Sequence, residues 1–390
     1  MRLLQKTYDS FVRAGALLDA EQKARLKEIN GQLSLTAVKF GNNILAENNN
    51  FVLELKSDEL DGLPAGIRDA AREKAQQMGK GDKWVFTLHK PSLIPLLTYS
   101  TRRDLREKIY KAYLNRCNNG DEYDNKQLIN DFIRLRTEKA HLLGYPSYAA
   151  YVVADEMAGT TDAVYGLLDQ IWTPALERAK GELAEMDTLL QKDIPGATFE
   201  SWDWWYYAEK LRKQNYALDE EMLRPYFSLE NVQGGIFYLA NRLYGITFQP
   251  IVVPLYHPDA VAYEVLDADG SHLGVLYFDY FPRDGKSQAP GAATMSSRPI
   301  RTASACARGE CCLQLHAPGT QYARTADARR DGNALPRIRP CAPLPVSRRE
   351  YRGLSEVEGD FVELLRRSWR TGHSNPRCWS TMPCITARAK

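Results

Sequence analysis

Along most of this chain the apolar residues recur with the 3.6-residue period of a helix buried along one face. The first clear run opens at Asp19-Ala-Glu-Gln, an acidic N-cap with a carboxylate in the first turn, where the free N–H groups of a helix need acceptors. Leu26, Ile29, Leu33, Ala37, Phe40 and Ile44 then follow at helical spacing. The same period predicts helices over 65–78, 102–116, 125–143, 163–190, 203–216 and 232–244, the last closed by Gly245. Gly144-Tyr-Pro and Pro195-Gly supply breaks between them. At Ala262-Tyr-Glu-Val-Leu the period drops to two, Asp267-Ala-Asp-Gly makes a turn, and Leu273-Gly-Val-Leu-Tyr-Phe returns, which predicts a β-hairpin near 262–281. No repeat and no flexible linker interrupts residues 1–286. They read as one mainly α-helical body with a small β-hairpin patch.

Composition adds a division that the periodicity alone leaves hidden. The net charge is +2, but residues 1–286 carry 34 Lys and Arg against 41 Asp and Glu, whereas 287–390 carry 17 against 8. Only one of those last 17 is a lysine, and six of the seven cysteines (Cys306, Cys311, Cys312, Cys341, Cys378 and Cys384) fall in the same stretch. An Arg- and Pro-rich segment of this kind has no selected periodicity, so the region after 286 is expected to be irregular. The hydrophobic share of 44% is enough for a core, and no apolar run is long enough to span a bilayer. Met1-Arg-Leu-Leu-Gln-Lys lacks the apolar stretch and cleavage site of a signal peptide, which favours a cytoplasmic over a periplasmic location.

Several stretches, taken in order, resemble the thimet oligopeptidase and peptidyl-dipeptidase family of zinc metallopeptidases. They are Leu142-Leu-Gly-Tyr-Pro-Ser-Tyr-Ala, Trp202-Asp-Trp-Trp-Tyr-Tyr, Leu223-Arg-Pro-Tyr-Phe-Ser-Leu-Glu-Asn-Val, Leu243-Tyr-Gly-Ile-Thr-Phe, Tyr256-His-Pro-Asp, Tyr263-Glu-Val-Leu-Asp-Ala-Asp-Gly and Gly274-Val-Leu-Tyr-Phe-Asp-Tyr-Phe-Pro-Arg-Asp-Gly-Lys. Any one of these aromatic clusters is ordinary core material; their shared order carries the resemblance. The resemblance implies a large helical fold of two lobes about a deep channel, present here in part, acting as a monomer on short peptides. It also implies a zinc ion, held by two histidines of an H-E-x-x-H helix and a later Glu, with the motif Glu as general base. Such an ion activates water and polarises the scissile carbonyl.

No H-E-x-x-H occurs here: the six histidines are His89, His141, His257, His272, His316 and His373, and no two stand four apart. A shifted reading frame accounts for this. Leu335-Pro-Arg-Ile-Arg-Pro-Cys-Ala can be encoded by a string that, read one nucleotide forward, gives Phe-His-Glu-Phe-Gly-His-Ala, the family's zinc motif. Arg370-Thr-Gly-His-Ser-Asn-Pro-Arg-Cys-Trp-Ser can likewise be encoded by a string that, read two forward, gives Asn-Trp-Ala-Phe-Glu-Pro-Glu-Val-Leu-Glu, similar to the family's sequence after its third ligand. Between them Tyr351-Arg-Gly-Leu-Ser-Glu-Val-Glu-Gly-Asp-Phe-Val-Glu-Leu resembles the family without any shift.

The implied organisation is a helical part of the catalytic domain at 1–286 and an out-of-frame segment at 287–349. An in-frame remnant follows at 350–364, then an out-of-frame tail at 365–390. Glu363 inherits the third-ligand position, while the two histidine ligands and the general-base Glu are missing. The chain is accordingly expected to bind no zinc and to be inactive. A non-catalytic helical fragment that binds peptides or proteins is the alternative. The basic tail could also attract nucleic acid by charge, and Cys306, Cys311, Cys312 and His316 could suggest a metal knuckle. The knuckle's spacing fits no familiar zinc pattern, and the favoured reading has neither nucleic acid nor membrane as a partner.

Overall fold

The structure, a computed structural model, describes residues 1–216, 228–281, 283 and 358–361, together with the backbone of two strands at 292–294 and 309–313. The chain divides into two units, Met1–Ala217 and Leu218–Lys390.

In the first unit, α1 (Arg2–Arg13) precedes α2 (Ala20–Asn50). The start of α2 follows from the predicted cap. An Asp19 carboxylate oxygen accepts from the Gln22 N–H at 2.8 Å, and the Gln22 side chain accepts from the Asp19 N–H at 3.3 Å. Two otherwise orphaned donors are satisfied by one reciprocal pair. Then come β1 (Leu53–Leu55), α3 (Ala65–Gln77), β2 (Trp84–Phe86), α4 (Lys90–Tyr99) and α5 (Arg103–Leu114). They are followed by α6 (Lys126–Leu142), α7 (Tyr148–Val153), α8 (Thr161–Asp193) and α9 (Trp204–Tyr216).

The main core of this unit is built around the antiparallel pair β1–β2, in which Leu53 faces Phe86. Leu55, Phe86, Leu88, Leu96 and Ile109 are fully buried there, with Trp205 of α9 packed alongside. Gly62, just before α3, has φ +78°, and a Cβ at that position would lie 2.3 Å from the carbonyl oxygen of Tyr99 at the end of α4. Only glycine meets both demands. Helices α2 and α6 pair antiparallel outside this core. Arg25 grips Glu138 through two bonds of 2.6 and 2.8 Å, Phe40 meets Phe132 edge-on at 5.9 Å, and Asn43 donates to Asn125 at 2.8 Å.

A second polar centre ties α5 to the turn before α9. Asp203 is fully buried and accepts from Arg103 at 2.7–3.1 Å and from Arg106 at 2.9 Å. Arg106 is itself buried, donates also to the Ser100 carbonyl at 2.8 Å, and lies 4.2 Å from the Tyr206 ring centroid. Burial alone would push the Asp203 carboxyl up, but the bonds from Arg103 and Arg106 outweigh it and hold the group below the usual carboxylate range.

Helix α8 behaves differently. Its last turns bury Met186 and Leu190, yet every residue from 165 to 181 is exposed.

In the second unit, α10 (Leu229–Tyr244) is capped by Ser228, whose hydroxyl accepts from the Asn231 N–H at 3.2 Å. It ends at Gly245 in the left-handed region, φ +73°, as the sequence predicts. A sheet follows from β3 (Thr247–Pro250), β4 (Val261–Leu266) and β5 (His272–Phe278), antiparallel neighbours in that order. The predicted hairpin is β4–β5. At its turn the Gly270 N–H donates to the Asp267 carbonyl at 2.9 Å, and the Asp267 N–H donates to the Ser271 carbonyl at 2.8 Å. Ile236, Leu239 and Ile246 pack with Val265, Leu276 and Phe278 to form the core, and Phe237 stacks on Phe248 at 4.3 Å.

Two short strands fall in the stretch expected to be irregular. β6 (Ala292–Thr294) pairs antiparallel with β7 (Gly309–Leu313), and β7 lies parallel to β5. The rest of 287–349 lies outside the described residues, as do 350–357 and 362–390.

Candidate functional site

The residues from which the sequence builds a metal site are Glu363 and the stretch 335–342. Both lie outside the described residues. The nearest described piece is 358–361, where the Phe361 N–H donates to the Glu358 carbonyl at 3.1 Å. His316 and His373 are likewise outside.

The four described histidines each sit in a local arrangement of their own. His89 Nδ1 lies 3.2 Å from the Thr87 hydroxyl, and His141 Nε2 lies 3.3 Å from the Pro146 carbonyl. His257 Nδ1 accepts from the Asp259 N–H at 3.2 Å. His272 Nδ1 meets Glu264 across the β4–β5 hairpin at 2.6 Å. Among the described residues no three of His, Cys, Asp and Glu come together in a group able to hold a metal ion.

What the structure does place is the polar anchor at the C-terminal end of β5. Asp279 is fully buried and accepts from the Tyr256 hydroxyl at 2.9 Å and from both terminal nitrogens of Arg283 at 3.0 Å. That fork holds the Arg283 pKa above its ordinary value. The neighbouring Tyr280 is buried and stacked on Phe278 at 5.2 Å, and burial drives its hydroxyl pKa well above the phenol range. Neither group is poised to exchange a proton near neutrality. The arrangement fixes where the chain leaves the sheet at Arg283, and it is a positioning device rather than a reactive one. Tyr256 and Asp279 both fall inside the family-like stretches, but nothing local in the sequence pairs them. Their partnership spans 23 positions and leaves no local signal.

The comparisons with known proteins agree with this architecture. The profile of Peptidase family M3 matches residues 96–317. Over 290 residues, covering 74% of this chain, the sequence is 37% identical to the dipeptidyl carboxypeptidase of Salmonella typhimurium and 35% identical to that of Escherichia coli. It is 31% identical over 292 residues, 73% of this chain, to oligopeptidase A of Haemophilus influenzae. The chain therefore belongs to Peptidase family M3, a class of metallopeptidases. Within that family its similarity reaches both dipeptidyl carboxypeptidases and oligopeptidases, and it spans 43% of the length of each of these three relatives. No helix among the described residues is long and apolar enough to cross a membrane.

Proposed function

We propose that this chain is part of a zinc-dependent peptidase of the dipeptidyl carboxypeptidase and oligopeptidase type, and that in its present form it does not turn peptides over. The observation that carries the reading is a pairing. The family match is strong up to Ala317, yet nowhere in the 390 residues does H-E-x-x-H follow it. The match ends before Leu335, where the shifted frame would restore that motif.

The donor set does not fit a catalytic zinc. Such an ion takes three protein ligands and keeps one position open for water, and here Glu363 is the one candidate that the resemblance transfers. No step through a metal is assigned to this chain. Its substrates, by family, are peptides, and short ones by resemblance to the oligopeptidases.

The test uses the purified 390-residue chain, a quenched fluorescent peptide and added zinc, with a chelator control. The expected result is turnover at the uncatalysed background and no stoichiometric zinc uptake. Chelator-sensitive hydrolysis would refute the proposal, since it requires a metal centre built from residues other than those named.

A further inference from the structure

The chain holds two Asn-Gly pairs, Asn30-Gly31 and Asn119-Gly120, and the fold treats them differently. In such a pair the backbone nitrogen of the glycine, unhindered by a side chain, can attack the asparagine side-chain carbonyl carbon. A bond from that nitrogen to Cγ forms and the Cγ–Nδ2 bond breaks. Ammonia leaves with the proton that the attacking nitrogen gives up. Water then opens the cyclic imide at either carbonyl, giving aspartate or isoaspartate. One water is consumed, one ammonia is released, and nothing is oxidised or reduced. The attack requires the backbone to bring the glycine nitrogen onto the side chain, so backbone freedom sets the rate.

Both asparagines are exposed, so access of water does not separate them. Asn30-Gly31 lies well inside α2, where the glycine N–H belongs to the helix ladder. The Ser34 hydroxyl donates to the Asn30 carbonyl at 2.9 Å, and the Lys139 ammonium of α6 donates to the Asn30 side-chain oxygen at 2.8 Å. The reactive form is reached there only by breaking a helix in its middle, against its clasp with α6. Asn119-Gly120 stands instead in the loop between α5 and α6, with Gly120 at φ +72°. Its restraints are bonds to two carboxylates. Asn119 Nδ2 donates to both Glu47 oxygens at 3.0 and 3.3 Å, and the Gly120 N–H donates to Asp124 at 2.8 Å. Water can replace each of these bonds, so opening costs little.

We propose that Asn119 is a site of spontaneous deamidation in the folded protein, that Asn30 is protected from it, and that Glu47 sets the pace by holding the Asn119 amide. The change runs one way. Where an amide donor met Glu47, the product sets a second carboxylate, and the two like charges repel. The loop then loses one of its holds on the end of α2. Arg116 on Asn48 at 2.9 Å and Asn43 on Asn125 at 2.8 Å remain. The proposal depends on neither zinc nor peptide turnover.

The test incubates the purified 390-residue chain in neutral buffer, folded and in urea, and follows both pairs by peptide mapping with mass detection. In the folded chain Asn119 is expected to convert while Asn30 lags far behind; in urea the two rates are expected to converge. Glu47→Ala should speed conversion at Asn119 about two- to tenfold, the worth of one hydrogen bond, and leave Asn30 unchanged. Asn30 is thus the folding control: a variant that unfolds raises both rates, and the wild-type comparison then decides alone. Equal rates at the two sites in the folded chain would overturn the proposal. So would an Asn119 that stays intact while the chain in urea converts. A folded Glu47→Ala chain with an unchanged rate at Asn119 would overturn the role of Glu47.

Discussion

A version of this chain with the reading frame restored across 287–349 and 365–390 is expected to take up one zinc ion per molecule, and the present chain none. On the proposed reading, restoration would place two imidazoles four residues apart on one helix, and Glu363 would supply a carboxylate 23 residues beyond Pro340, the position of the shifted second histidine. Substituting Glu363→Ala in the repaired chain removes one of three ligands. Loss of a mere supporting hydrogen bond around a metal costs about 10–100-fold in affinity, so loss of a ligand should exceed about a hundredfold. Competition against a chromophoric chelator measures both quantities. If the repaired chain binds no zinc, or if Glu363→Ala binds it equally well, the assignment of Glu363 is wrong.

The second large effect concerns stability. Asp203→Ala is expected to destabilise the first unit by about 3–5 kcal/mol, because it strands the buried guanidinium of Arg106 without its counter-charge. Arg103, partly exposed at 28%, can turn to solvent, so Arg103→Ala should cost distinctly less. The stabilisation has a defined pH window. The Asp203 carboxyl is held below its unfolded value, near 4, so its contribution is complete above about pH 4 and is lost as the pH falls through the lowered folded value. Urea unfolding of wild type and Asp203→Ala should therefore show a gap at neutral pH that closes in strong acid. A gap constant down to the acid limit would mean that the charge of Asp203 contributes nothing.

These two expectations differ in how far the sequence announces them. Helices with a polar cap and a clean apolar stripe are legible: Asp19 opens α2, Gly245 closes α10, and Asp267-Ala-Asp-Gly turns the β4–β5 hairpin. The family is legible too, since the quoted stretches from Leu142 to Lys286 all lie within the matched 96–317. One of them holds a structural centre as well: Trp202-Asp-Trp-Trp-Tyr-Tyr contains Asp203 and the Tyr206 ring that covers Arg106.

The misses have physical causes. Helix α4 escapes because Ser92-Leu-Ile-Pro-Leu-Leu is apolar on all sides and holds Pro95, so no helical period survives. The strands β1 and β2 are three residues each, too short to show alternation. Asp203 and Arg106 stand 97 positions apart, and only the fold brings them together. The metal site is a different matter: its residue types are legible as an absence of the motif, while Glu363 lies beyond the described residues.

The antiparallel clasp of α2 and α6 bears on the order in which the first unit folds. Its contacts join residues 82 and 113 positions apart, and the whole β1–β2 core from Leu53 to Ile109 lies inside the loop they close. Closing so long a loop in a disordered chain is entropically costly before any contact rewards it. Once the enclosed residues have condensed around Leu55 and Phe86, the effective loop shrinks and the two helices meet at lower cost. The inner cluster is thus expected to form first and the clasp last. In a kinetic mutant series, Leu96→Ala should slow refolding, while Asn43→Ala should mainly speed unfolding; the reverse pattern would place the clasp in the nucleus.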